Sequence, residues 1–189
     1  MLANERIFRI RADGREFIIN CSPKNLEELK IGLVYVEGLK EFEMEEVKVK
    51  HGFKIKSKEI WSMDMIRDSL GYIDINDPTK AHHIAVLIGK NGVIARAIDI
   101  SRHAAVLKVI GMGLKKRAEF DRTYLLISSR ITHEIALKCA KAGIPLIVTK
   151  KTITDLALEF CRDVGLSVVS FGSEVVEGDA VECGDTGRW

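Results

Sequence analysis

Between residues 123 and 171 the chain alternates short apolar runs with amphipathic ones, and this stretch constrains the fold more than any other. Thr123–Ser128, Ile144–Thr149 and Leu166–Phe171 are near-continuous apolar segments. They are separated by Thr132–Ala142 and Thr152–Val164, whose apolar residues recur at helical spacing and which stop at Gly143 and Gly165. Strand, helix, strand, helix, strand with unbroken apolar strands predicts a parallel sheet covered on both faces. Just upstream, His83–Gly89 and Val93–Asp99 flank Lys90-Asn91-Gly92, a hairpin signal because Asn-Gly tolerates the positive φ angles of a tight turn. A helix from about Ser101 to Lys116 follows. The expectation is an α/β fold whose sheet joins an antiparallel hairpin to parallel strands.

The N-terminal part has a different grain. Residues 7–12 and 16–21 alternate around Asp13-Gly14 and read as a second hairpin. Ser22 is placed to cap a helix with Pro23 in its first turn, and Leu26, Leu29, Leu33 and Val36 supply an apolar stripe up to Gly38. Residues 47–56 alternate as one or two half-buried strands would, and Trp61–Leu70 has a helical pattern. The division that follows is a hairpin-and-helix subdomain over 1–77, an α/β core over 78–172, and an irregular Gly-, Asp- and Glu-rich tail over 173–189. With 29 Lys+Arg against 27 Asp+Glu, the net charge is +2 and 47% of residues are hydrophobic. That balance excludes a disordered chain and gives no global attraction to nucleic acid, so any basic site must be local. No apolar run nears the ~20 residues that span a bilayer, and the first residues have no apolar signal core. A cytoplasmic protein without membrane or nucleic-acid partners is expected.

In an open sheet, ligands collect beyond the carboxyl ends of parallel strands, where helix N-termini offer free N–H groups. Ser128-Ser129-Arg130 precedes the helix starting at Thr132, and Lys150-Lys151 precedes the one starting at Thr152. Two adjacent junctions with cations suit a pyrophosphate, although basic loop residues are also common on any surface. Asp99, Arg102 and His103 gather at a third junction. Successive residues of a strand face opposite ways, so His82 and His83 cannot both face one site. The four cysteines, Cys21, Cys139, Cys161 and Cys183, stand singly, without zinc-ligand spacing, and no metal site is expected. Cys139 and Cys161 fall within helical patterns, where a buried thiol is expected. The histidines and cysteines lack the His-x-Glu and Pro-Cys-x-x-Cys elements of a zinc deaminase. A Gly-x-Gly-x-x-Gly turn, a Walker loop and a Gly-x-Ser-x-Gly elbow are also missing.

In order along the chain, several motifs resemble those of the formate dehydrogenase accessory protein family FdhD. They are Pro23-x-x-Leu26-x-x-Leu29 with Glu37-Gly38, then Thr79-Lys80-Ala81-His82-His83-Ile84-Ala85, Asp99-Ile100-Ser101-Arg102-His103 with Lys108, Ser128-Ser129-Arg130 with Glu134 and Lys138, Ala142-Gly143-Ile144-Pro145, and Gly165–Phe171. The resemblance implies a cytidine-deaminase-like three-layer α/β core and a homodimer. It also implies a role in maturing molybdenum-dependent formate dehydrogenase: binding the molybdenum bis-guanine-dinucleotide cofactor, or a GDP-like nucleotide, and assisting its sulfuration with sulfur from a cysteine desulfurase. His83, Asp99, Arg102, His103, Ser129, Arg130, Lys150 and Lys151 are the candidate cofactor-binding residues. The sequence departs from the family at one point that matters: the loop Lys54–Ser62 lacks the family's reactive Cys-x-x-Cys. No catalytic residue is therefore assigned, and a second reading is a diverged nucleotide- or molybdopterin-binding protein without sulfurtransferase activity.

Overall fold

The computed structural model of the chain describes residues 2–39, 42–75 and 77–182. Strands β1 (Arg6–Ala12) and β2 (Arg15–Cys21) form the expected hairpin, with Asp13 and Gly14 at positive φ in the turn. On β1 the alternation places Phe8, Ile10 and Ala12 inward and Arg9 and Arg11 outward, where they pair with Glu16 and Glu45. Helix α1 (Leu26–Glu37) begins three residues later than the Ser22-Pro23 signal implies, behind Asn25 in the left-handed region, and none of its residues is buried. Ile31, Tyr35 and Val36 on it face solvent. Strand β3 (Phe42–Glu46) completes a three-stranded sheet in the order β2-β1-β3.

Residues 47–58 do not form the strands that their alternation predicts. They run as extended chain over the core, with Phe53 and Ile55 packed on it and the Ile55 N–H donating to the Val164 carbonyl at 2.7 Å. Alternating burial here comes from lying on a helical layer, not from a ladder. A short strand β4 (Trp61–Ser62) leads into α2 (Met63–Ser69), whose cap is the Ser62 hydroxyl.

The core sheet contains β5 (His83–Gly89), β6 (Gly92–Asp99), β7 (Thr123–Ile127), β8 (Leu146–Thr149), β9 (Ser167–Ser170) and β10 (Val175–Glu177), in the order β10-β9-β8-β7-β5-β6. Strands β7, β8 and β9 are parallel, while β5–β6, β5–β7 and β9–β10 are antiparallel, so the sheet is mixed. Helices α3 (Arg102–Lys115), α4 (His133–Lys141) and α5 (Asp155–Val164) contribute Val106, Val109, Ile135, Cys139, Leu158 and Cys161 to one core cluster. The opposite face is covered by Trp61, Ile66 and Ile73 together with Ala180 and Val181. Both faces are therefore buried, but the three long helices share one of them, because the crossovers advance along the sheet without reversing. The segment after 172, expected to be irregular, contributes β10 and a last strand, β11 (Val181–Glu182), paired in parallel with β4.

Over the helical layer, His51, Phe53, His133 and Phe160 form an aromatic cluster, with the two imidazole centroids 5.8 Å apart and Phe160 edge-on to both. Burial pushes both imidazoles below their ordinary pKa; Lys141 adds to the effect at His51 and Glu5 opposes it at His133. A group whose pKa is lowered by folding contributes stability above its unfolded pKa and loses it as pH falls through the folded value. The melting temperature is therefore expected to decline as pH drops below about 6.5, and His133→Phe, which keeps the ring and removes the charge, flattens that decline in thermal scans between neutral pH and pH 5.

Candidate functional site

The site is built where β7 and β8 end. Beyond them the two chains continue side by side through a parallel bridge between Ile131 and Ile153. The Ile131 N–H donates to Thr152 O at 2.9 Å and the Thr154 N–H to Ile131 O at 3.1 Å. Both isoleucines are fully buried, which anchors the loops and leaves Arg130 and Lys151 outside. The buried Thr149 hydroxyl ties the loops together, donating to Ser129 O at 2.6 Å and accepting from Lys151 N at 3.0 Å. Ser128 Oγ takes the Ile84 N–H at 2.8 Å and so fixes the start of β5, and with it His83, beside the same loops. Gly172 closes the far side: a Cβ there would lie 2.7 Å from the Lys151 carbonyl carbon, so only glycine allows this approach of backbone to backbone.

The resulting cleft, about 450 Å³, is lined by His83, Arg102, Ser128, Ser129, Arg130, Lys150, Lys151, Thr152 and Gly172. That volume lies within the roughly 300–1,000 Å³ of small-molecule sites. Six of the eight residues singled out in the sequence meet here. Among the described residues, no carboxylate lies within ion-pair distance of Arg102, Arg130 or Lys151, whereas Lys150 is engaged by Asp74 at 2.6 and 2.8 Å. Arg102 Nε is buried and has no hydrogen-bond partner among the described residues. Unneutralised guanidinium groups with an unmet buried donor are the chemistry of an anion site, and planar forks match phosphate best. The cleft thus offers an anion two guanidinium groups and an ammonium without a carboxylate partner among the described residues.

The other two residues stand behind the cleft. Asp99 lies opposite His83 in the β5–β6 register, where its carboxylate accepts from the Lys108 ammonium and the Ser101 N–H, which together hold it below the usual carboxylate range. His103 sits between helices, its Nε2 3.2 Å from a Glu134 oxygen. Burial lowers its pKa, Lys138 lowers it further and Glu134 opposes the change. His82 turns away to Asp77, with Nδ1 2.8 Å from the carboxylate. The helix after β8 starts at Asp155, not Thr152, and its cap is Thr154, whose hydroxyl accepts from Ala157 N.

Glu5 escaped the sequence reading. It is 6% exposed, and one carboxylate oxygen accepts the His133 N–H at the start of α4 (3.0 Å) and the Thr154 hydroxyl at the start of α5 (2.5 Å). Its backbone N–H donates to Asp155 Oδ1 at 2.7 Å. A single carboxylate therefore joins the two helix N-termini that flank the loops. Local patterning does not reveal this, since the partners lie more than a hundred residues away.

A second cleft, of about 500 Å³, shares Arg102 and Arg130 with the first and continues over Cys21, Asn20, Thr132 and Glu134. Cys21 is partly exposed, whereas Cys139 and Cys161 are fully buried; burial raises the pKa of Cys139 and pushes that of Cys161 up to about 12. Cys183 lies outside the described residues. No group of three or more His, Cys, Asp or Glu that could hold a metal ion occurs among the described residues. Nor, among them, is any helix long and apolar enough to cross a membrane.

The model of the FdhD/NarQ family matches residues 40–175. The sulfur carrier protein FdhD of Burkholderia mallei is 38% identical over 93 residues, covering 49% of this chain and 34% of its own length. The protein of the same name from Bacillus licheniformis is 24% identical over 220 residues, covering 90% of this chain and 84% of its own. The match to the Burkholderia relative thus spans about a third of that protein. Among solved structures, a protein described as a formate dehydrogenase accessory protein of Desulfotalea psychrophila aligns with a TM-score of 0.58 at 20% identity, over 95% of this chain and 98% of that one, which shows a shared fold.

Proposed function

We propose, from the premise that this chain belongs to the FdhD/NarQ family, that it is an accessory protein for formate dehydrogenase which binds the molybdenum bis-guanine-dinucleotide cofactor and assists its sulfuration. The observation that carries this reading is the cleft at the strand ends, with Arg102, Arg130 and Lys151 free of carboxylates among the described residues and Ser129 on its wall. Each guanine arm of that cofactor bears a pyrophosphate, the group that the guanidiniums of the first cleft would take. Arg102 and Arg130 hold the phosphates as charge-assisted donors, Lys151 adds a mobile cation, and His83 faces the same space from β5. Asp99 and His103 act at one remove, by holding the residues around them. Relatives named sulfur carriers and a structural neighbour named an accessory protein support the process. The test is genetic. Formate dehydrogenase activity is expected to collapse when the gene is removed, to return with the wild-type gene, and to stay low with Arg130→Ala expressed at the same level. Full activity in the deletion strain contradicts the proposal.

A nucleotide-binding protein without sulfurtransferase activity is the second reading. It is favoured by the absence of Cys-x-x-Cys from Lys54–Ser62 and by the deep burial of Cys139 and Cys161. We also propose a homodimer formed through the edge strand β6 and the adjacent α3. Val93, Ile98, Ile100, Leu107 and Leu114 are exposed there, a concentration of apolar surface that a second copy would cover. Light scattering is expected to give twice the chain mass, and Leu107→Glu with Leu114→Glu to give the monomer.

A further inference from the structure

We propose that helix α1 of one copy docks on the exposed face of α3 in a second copy, so that two such contacts hold the dimer. This rests on the homodimer reading above and names the element that covers the apolar surface of α3.

The packing of α1 within its own chain does not explain the helix. It is 12 residues long, a length at which a lone helix is marginal in water and packing has to supply the stability. One side, with Leu26, Leu29 and Leu33, is only half-buried, and Ile31, Val34, Tyr35 and Val36 on the remaining surface are exposed, Tyr35 at 88%. A helix that is apolar all round is a buried helix. The outer face of α3 is uncovered in the same way, at Leu107, Met112 and Leu114.

Glycines and charges match the two faces. Within α3, Gly113 is required by the chain itself, since a Cβ there would lie 2.7 Å from Leu87 Cδ2 and 2.9 Å from Phe120 Cε1. Gly111 is not, because a Cβ there would meet nothing within 4 Å, and it lies on the same stripe as Leu107 and Leu114. Gly32 of α1, next to Ile31 and one turn before Tyr35, has the same open space. Glycine inside a helix is destabilising relative to alanine, and a notch on each helix lets the two backbones approach closely. Glu27 and Glu28 head α1, whereas Lys115 and Arg117 stand at the end of α3. Lys30 takes Glu27, but among the described residues no cation pairs with Glu28 and no carboxylate with Lys115 or Arg117. Laid antiparallel, the acidic start of α1 meets the basic end of α3, and the helix dipoles run in opposite directions. Helix α3 has no acidic residue, so α3 laid on α3 would set like charges together, which disfavours that pairing. A two-fold axis repeats the α1–α3 contact on the other side of the dimer.

The test is sedimentation of the full chain. The wild type is expected to run as a dimer. Glu27→Lys with Glu28→Lys, and separately Lys115→Glu with Arg117→Glu, are each expected to weaken the dimer about tenfold or more. Mixed in equal amounts, the two variants are expected to regain dimers, since each reversed α1 then meets a reversed α3 and each native α1 a native α3. Ile31→Glu with Tyr35→Glu is expected to give the monomer. If every α1 variant stays as dimeric as the wild type while Leu107→Glu with Leu114→Glu is monomeric, the assignment of α1 is overturned and the homodimer stands. A monomeric wild type overturns both. A mixture no tighter than either variant alone overturns the pairing of these charges.

Discussion

Glu5→Ala is expected to destabilise the protein more than any other single polar substitution near the site. The carboxylate accepts from the His133 N–H and the Thr154 hydroxyl in a setting that is 6% exposed, and Asn20 Nδ2 lies 3.3 Å from its other oxygen. Truncation leaves two buried donors without a partner at the starts of α4 and α5, at about 1–3 kcal/mol each. It also removes a negative charge from two helix N-termini, worth about 0.3–1 kcal/mol apiece. The total, roughly 3–8 kcal/mol, is a large share of the about 5–15 kcal/mol that holds a domain together. At about 2–4 °C per kcal/mol for a chain of this size, the melting temperature should fall by more than about 6 °C. Glu5→Gln retains an acceptor oxygen and should lose less than half as much. A Glu5→Ala melting curve within a degree of wild type contradicts the double-cap account.

The second large effect is on ligand affinity. Arg102 and Arg130 approach the cleft from different elements, the start of α3 and the loop after β7, and neither has a carboxylate partner among the described residues. Each charge-assisted hydrogen bond to a phosphate contributes about 1.5–3 kcal/mol, which is roughly 10- to 100-fold in affinity per residue. Arg102→Ala and Arg130→Ala should each weaken GDP binding by that amount, and the double variant should abolish it at millimolar nucleotide. Lys150→Ala is the internal comparison, because Asp74 already neutralises this ammonium and its loss should cost less than fivefold. Binding should also weaken as salt rises, since the cleft opens to solvent. Equal losses for Lys150→Ala and Arg130→Ala would contradict the distinction between engaged and free cations. Fluorescence competition with a labelled guanine nucleotide measures the four variants against the wild type.

The residues that carried information in the sequence are those whose role is set by near neighbours. The apolar runs of β7, β8 and β9 announce a buried parallel ladder because no polar residue interrupts them, and Gly143 and Gly165 stop their helices in the left-handed conformation. Arg130, Lys150 and Lys151 could be placed beside one cleft from their position after apolar strands, a rule of open sheets rather than of any motif. Information failed where partners are distant or where one pattern serves two structures. Residues 51–56 alternate in burial without belonging to a ladder, because chain laid over a helical layer can have the same period as a strand. Thr152 and Thr154 are equally good caps by type, and the bridge from Ile131 to Ile153 makes the choice. Glu5 looks like one more surface charge, and Gly172 like part of a Gly-rich tail, until the fold brings the first to two helix ends and the second against Lys151. Nor does the sequence distinguish Lys150 from Lys151, although Asp74 pairs with the first and no carboxylate among the described residues pairs with the second.

The central claim is that the cleft beyond β7 and β8 recognises the phosphates of a guanine nucleotide. Isothermal titration of GDP into the wild-type protein tests it most directly, with guanosine as the ligand that lacks phosphates. One site per chain is predicted for GDP, with affinity weakened roughly 10- to 100-fold in Arg130→Ala and binding undetectable for guanosine. Absence of GDP binding to the wild type, or an affinity that Arg130→Ala leaves unchanged, contradicts the account.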